Sequence, residues 1–220
     1  MTQPTPTDAA DALQRDGRLL IWLMKPFCRL ELPANIEIRT DRPTIVMANH
    51  RSLLDVFCAA AFCHSAQVSC RVFVNARYFR SRVAGAWLRR IGAIPLDRHS
   101  KEEAFAEARK SLERGELVGI MPEGRLVPPE EREHQTGPAR PGAAELAAEM
   151  NAYMRAVVFH NTDVVWPRDK WPRLSRRRPV VTMELDHLHF EPTGNHQDDI
   201  DIVMARLTVM LDELDADDRL

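Results

Sequence analysis

The stretch TIVMANHRSLLDVF, residues 44–57, changes character halfway along. Thr44–Asn49 is a short apolar run bounded by polar residues, and it reads as a buried strand. From Ser52 to about Cys63 the pattern turns helical. A buried strand, a tight turn and a helix in immediate succession are the repeating unit of an α/β fold. The polar residues His50 and Asp55 fall at that junction. Functional groups of such folds gather where strands end and helices begin.

Working outward, the same alternation continues. A helix with one apolar side is expected from about Asp8 to Leu30, carrying Leu13, Leu19, Leu20, Trp22, Leu23 and Phe27. Strands are expected over Asn35–Thr40, Val68–Asn75, Ala93–Leu96, Glu116–Met121 and Arg155–Thr162, with one or two more over Pro179–Phe190. A broken helix precedes Gly92. Ser100 and Glu103 suggest a capping box opening a helix that Gly115 stops. A further helix follows Gly142, and a last one is expected over Gln197–Leu214. Strands alternating with helices predict an α/β domain with a mostly parallel, mixed sheet flanked by helices. The expected organisation is an N-terminal tail and amphipathic helix over 1–30, one catalytic domain over 31–214 and an acidic tail over 215–220.

Composition narrows the function. A chain of 220 residues can bury a full core without disulfides or metal. The four cysteines, Cys28, Cys58, Cys63 and Cys70, show no C-x-x-C pairing and sit among apolar neighbours, as buried free thiols do. The net charge of −2 gives no global reason to expect nucleic acid. The polar opening, with Asp8 and Asp11, reads against a secretory signal. The apolar run Leu19–Met24 is far short of a membrane span, so any membrane contact is expected at the surface.

Two readings of the His50–Asp55 spacing stand side by side. A carboxylate in the first helical turn can hydrogen-bond an imidazole in the preceding turn, fix its tautomer and stabilise the imidazolium that forms when the other nitrogen takes a proton. That is the equipment of a general base acting on a hydroxyl. Ser52-x-x-Asp55 is also a capping-box-like pattern, which explains Asp55 by structure alone.

The ordered blocks around the junction carry a resemblance. ANHRSLLD (Ala48–Asp55) resembles the His-x4-Asp block of the PlsC-like glycerolipid acyltransferases, the family that includes 1-acylglycerol-3-phosphate acyltransferases. GAIPLDR (Gly92–Arg98) resembles the family's second block, and GIMPEGR (Gly119–Arg125) its third. ARPGAAELA (Ala139–Ala147) resembles the stretch that follows. The resemblance covers roughly Ile36 to Glu184. It implies an O-acyltransferase in which His50 deprotonates an acceptor hydroxyl and Asp55 orients it. The hydroxyl oxygen then attacks an acyl-CoA or acyl carrier protein thioester, with no acyl-enzyme and no metal or cofactor. It further implies that Arg98 grips an acceptor phosphate and that Glu123 bonds acceptor hydroxyls or supports the site. Gly124 allows close backbone approach, and Arg125 and Arg140 lie on the acceptor side. A lysophospholipid, 1-acylglycerol-3-phosphate first, is the implied acceptor. Alternatives are a non-catalytic lipid-binding member of the fold and an acyl-thioester hydrolase. Arg98 pairing with Asp97, and an ordinary turn at Pro122–Gly124, are the structural alternatives.

The chain departs from the family pattern on the acceptor side. Glu123-Gly124-Arg125-Leu126-Val127 stands where the family has Glu-Gly-Thr-Arg-Ser, and Asn75-Ala76-Arg77 stands where a lysine is usual. Two other features invite a function. His187-x-His189 would put two imidazoles on one strand face, with no obvious third metal ligand. The segment Trp166–Pro179 interleaves two tryptophans with Arg168, Lys170, Arg173, Arg176, Arg177 and Arg178. A nucleic acid or an anionic membrane surface could use it, and a plain solvated loop also fits. An acyltransferase with no membrane span needs a way to its lipid, which favours the membrane. A peripheral location at the inner face of the cell membrane is therefore expected.

Overall fold

The computed structural model describes residues 6–33, 38, 41–132 and 135–217. In chain order its helices and strands are α1 (Pro6–Met24), β1 (Arg29–Glu31), β2 (Thr44–Ala48), α2 (Leu54–Ala66), β3 (Cys70–Asn75), α3 (Arg82–Arg90) and β4 (Ile94–Leu96). They continue with α4 (Lys101–Glu113), β5 (Leu117–Ile120), α5 (Gly142–Glu149), β6 (Tyr153–His160), α6 (Thr162–Val165), β7 (Val180–Leu185) and α7 (His196–Asp217). Among the described residues the strands form one sheet in the order β1-β7-β6-β2-β5-β3-β4. Every neighbouring pair is parallel except β6 with β7. The expected single α/β domain with a mostly parallel, mixed sheet is what the chain forms.

Helices cover both faces, which is why β2 and β6 are buried along their whole length. The two-residue period of the strands divides the core. Val46, Ala48, Val157 and Phe159 pack with Leu20, Leu54, Cys58, Phe62 and Leu88 beneath α1, α2 and α3. Ile45, Met47, Met154, Ala156 and Val158 pack with Ala108, Leu112, Leu146, Ile200 and Leu207 beneath α4, α5 and α7. β2 thus lies mid-sheet between β5 and β6, and the carboxyl ends of all three reach the same edge.

Several expected boundaries shift. The N-terminal helix ends at Met24 rather than near Leu30; after a turn, the chain pairs as β1 with β7. Its apolar residues are divided: Leu20 and Met24 join the core while Leu19, Trp22 and Leu23 stay exposed. α1 crosses α2 so closely at Gly17 that a Cβ there would sit 2.5 Å from His64 Cβ. The helix is therefore part of the domain's own packing. The strand expected over Asn35–Thr40 falls outside the described residues apart from Ile38, which is in no strand. Ser100 precedes α4 without capping it; its hydroxyl donates to Asp97 Oδ1 at 3.0 Å. The hydroxyl oxygen in turn accepts from Asp97 N at 3.2 Å, so the turn before the helix takes the lone pair that would otherwise cap it. α7 runs past the expected boundary at Leu214, and Asp215 is hydrogen-bonded to His160 and Gln135. Among the described residues, no helix is long and apolar enough to cross a membrane.

Candidate active site

β2 ends at Ala48, and Asn49 fixes the exit of the chain. Its amide donates to Phe159 O at 3.0 Å and accepts from Phe159 N at 2.9 Å, extending the β2–β6 ladder with a side chain. His50 comes next, half-buried at the carboxyl edge. Its Nδ1 lies 2.9 Å from Asp55 Oδ2. The same oxygen accepts from Arg51 N at 2.8 Å and Ser52 N at 2.9 Å. Both readings of the spacing thus meet on one atom: Asp55 closes the turn before α2 and holds the imidazole. Ser52 is not the N-cap by position, since α2 starts at Leu54, but its Oγ accepts from Leu54 N at 3.0 Å.

Asp55 is fully buried. A carboxylate only accepts, so the neutral ring carries its proton on Nδ1 and its lone pair on Nε2. Among the described residues, no hydrogen bond engages His50 Nε2. The arrangement presents an imidazole of fixed tautomer, with Nε2 as its acceptor atom, at the sheet edge.

Glu123 follows β5 and is 4% exposed. Its Oε2 accepts from His50 N at 2.6 Å and its Oε1 from Gly137 N at 3.0 Å. Burial pushes its pKa above the ordinary carboxylate value even though both N–H donors act the other way. Of the two expected roles, this geometry favours support of the site over direct contact with acceptor hydroxyls. Val127 and Arg140 lie back over the turn: Val127 N donates to His50 O at 3.1 Å and Arg140 N to Pro122 O at 3.0 Å. Gly124 has φ +67°, a conformation that favours glycine, and its open side faces Arg140, whose Cζ would lie 3.6 Å from a Cβ.

The expected phosphate ligands part company. Arg98 is exposed after β4 and makes no hydrogen bond or ion pair among the described residues. It does not pair with Asp97, which accepts from the backbone of His99 and Ser100. Neighbouring strands lie about 4.8 Å apart, so Arg98 leaves the sheet about 14 Å from β2 and must reach back past β3 and β5 to share a substrate with His50. Arg140 is exposed, and its side chain has no hydrogen bond or ion pair among the described residues. Arg125 is ion-paired with Glu131, a partner that the acceptor would have to displace. Arg77, standing where the family has lysine, donates to Tyr78 Oη at 2.7 Å.

Sequence reasoning missed a second layer behind the turn. Arg51 is 7% exposed, and its guanidinium donates to Gln135 O and Oε1 at 2.9 and 2.6 Å. Gln135 in turn donates to Asp212 and Asp215 of α7. Arg132 holds Asp163 at 2.7 Å and also donates to Val127 O. No local pattern announces the Arg51–Gln135 and Arg132–Asp163 pairs, whose partners lie 84 and 31 residues apart. His187 and His189 do not form a metal pair: His187 is exposed beside Asp186, and His189 packs edge-on against Tyr153. Among the described residues, no three metal-ligating side chains gather.

The acyltransferase family model matches residues 31–160, more than half of the chain, and its span contains His50, Asp55, Arg98, Glu123 and Arg140. The chain belongs to the acyltransferase family. No curated protein sequence matches this acyltransferase. Its fold is similar to the crystal structure of PlsC, the 1-acyl-sn-glycerophosphate acyltransferase from Thermotoga maritima, with a TM-score of 0.72. The two are 19% identical, and the match covers 94% of this acyltransferase and 80% of that chain.

Proposed function

We propose that this acyltransferase moves a fatty acyl group from an acyl-CoA or acyl carrier protein thioester to the free hydroxyl of a lysophospholipid. The observation that carries the reading is the His50 Nδ1–Asp55 Oδ2 hydrogen bond of 2.9 Å, which leaves Nε2 as the basic atom at the sheet edge. His50 Nε2 takes the proton of the acceptor hydroxyl as its oxygen attacks the thioester carbonyl. Asp55 stabilises the imidazolium. Collapse of the tetrahedral adduct breaks the C–S bond, and the imidazolium proton passes to the leaving thiolate, giving an ester and a free thiol.

Direct transfer fits the neighbouring nucleophiles. Ser52 Oγ is already donating to Trp166 O at 2.7 Å. All four cysteines are buried, and burial pushes the Cys58 thiol well above its ordinary pKa. The reaction as proposed calls on no metal or cofactor. Arg98 and Arg140 are the cations available to an acceptor phosphate, which supports a phosphate-bearing lysolipid. The similarity to PlsC makes 1-acylglycerol-3-phosphate the first acceptor to try. The enzyme then works peripherally, at the inner face of the cell membrane where such lipids lie.

Mass spectrometry of products from a mixed lysolipid pool, with acyl-CoA and acyl carrier protein donors in turn, tests the reading. A diacyl product with stoichiometric free thiol, absent in His50→Ala, is expected. Free fatty acid without ester would make the protein a hydrolase. An unconsumed thioester would make it a lipid-binding member of the fold.

A further inference from the structure

Between α6 and β7 the segment Trp166–Pro179 forms no helix or strand, and Arg168, Lys170, Arg173, Arg176, Arg177 and Arg178 are all exposed on it. Asp169 is its single acidic residue. Trp171 is 88% exposed and Leu174 75%, so neither serves the core. The second half of α1 shows the same pairing of apolar and basic groups. Leu19, Trp22 and Leu23 face solvent, and Lys25 and Arg29 follow. The two segments meet: an Arg178 Nη donates to Lys25 O at 3.0 Å and Arg29 N to Pro179 O at 2.9 Å.

The basic segment is also fastened to the catalytic turn. Trp166 O accepts from Ser52 Oγ, whose own backbone N–H donates to Asp55. The Trp166 ring lies 5.9 Å from Phe57 of α2, and Arg173 N donates to Val165 O at 2.8 Å.

We propose that the Trp166–Pro179 segment and the exposed face of the second half of α1 form one docking surface for an anionic lipid bilayer, joined to the catalytic turn through Trp166. Six cations against one carboxylate match anionic headgroups. Tryptophan and leucine beside them fit the depth where headgroups give way to acyl chains. A nucleic acid would use the cations but leave Leu19, Leu23 and Leu174 in water. The inference deepens the proposed function, because a lipid acceptor would then reach His50 from the docked side.

Deleting residues 1–30 would not isolate the effect, since Leu20, Met24 and Cys28 belong to the core. The test is flotation of the full chain with phosphatidylcholine vesicles, with and without about one-third phosphatidylglycerol. Binding is expected to be strong with the anionic vesicles at low salt, weak with the neutral ones, and to weaken without vanishing as salt rises. Arg176→Ser with Arg177→Ser should lower low-salt partition by about 25-fold, at about 5-fold per basic side chain. Trp171→Ala with Leu174→Ala should lower the binding that persists in salt, the rest coming from Leu19, Trp22 and Leu23. Neither pair should alter turnover of a lysolipid dispersed below its micellar concentration. Intact protein left unbound by anionic vesicles at low salt overturns the proposal, as does equal binding by the variants or a preference for duplex nucleic acid. Turnover of the dispersed acceptor without vesicle binding would remove the docking surface alone, and vesicle binding without turnover would remove the reaction alone.

Discussion

The backbone N–H of His50 donates to Glu123 Oε2 at 2.6 Å, across 73 residues of sequence. The other oxygen of that carboxylate takes Gly137 N. One buried side chain thereby ties the ends of β2 and β5 to Gly137, so His50 is held from behind as well as by Asp55.

Glu123→Gln should loosen this clamp. Glutamine keeps one acceptor oxygen but turns an NH2 toward the second N–H, leaving a buried donor unpaired at a cost of about 1–3 kcal/mol. A thermal midpoint lower by several degrees is expected, at about 2–4 °C per kcal/mol for a chain of this size. The pH dependence follows from the raised pKa. The Glu123 contribution is present below the unfolded value of 4.5 and is lost as pH rises through the higher folded value. Unfolding midpoints across that window should show the decline in the wild type, and the glutamine variant should lack this component.

His50→Ala should lower kcat by roughly 10²- to 10⁴-fold with little loss of stability, because general-base catalysis is worth about that much and the side chain is not in the core. Asp55→Asn should lower both kcat and the unfolding midpoint. Its Oδ2 accepts three donors, and two of them form the turn before α2. Stopped-flow thiol release and calorimetry separate the two effects. Turnover near the wild-type rate in His50→Ala would refute the base assignment.

Arg98→Ala should raise the acceptor KM far more than the donor KM, by the ~10- to 150-fold that corresponds to a charge-assisted bond of about 1.5–3 kcal/mol. Arg125→Ala should have a smaller effect, because Arg125 is already paired with Glu131. Initial rates with each substrate varied in turn give the comparison. Equal changes in both KM values would remove Arg98 from the phosphate site.

Asp215→Asn should weaken the layer behind the turn. Burial opposes ionisation of Asp215, but hydrogen bonds from His160 and Gln135, with the nearby Arg51 charge, hold its pKa below the ordinary value of 3.8. A depressed folded value means stability present above the unfolded value and lost as pH falls through the folded one. The asparagine variant should therefore lose stability at neutral pH and show a shallower acid limb, measured by urea unfolding between pH 2.5 and 7. An unchanged acid limb would show that Asp215 does not supply it.

The local patterns were the ones the sequence could display. A buried strand, a turn and a helix over Thr44–Cys63 follow from apolar runs and their spacing, and the His50–Asp55 hydrogen bond joins residues five apart within one turn. Alternating elements were enough to set a parallel α/β sheet, because parallel neighbours require crossovers. Tertiary structure decided the rest. Whether Glu123 meets substrate or backbone depended on β2 and β5 being neighbours, and on the loop bringing Gly137 back to them. The tie from Arg51 through Gln135 to α7 spans 84 residues at its first step, and no periodicity encodes it. The division of α1 between core and solvent depended on where α2 lay beneath it, since a helix's apolar residues show that it is amphipathic but not which of them a neighbour will cover. Sequence fixes conformation over a few residues through sterics and hydrophobic period; pairings between distant segments are settled only when the strands take their order in the sheet.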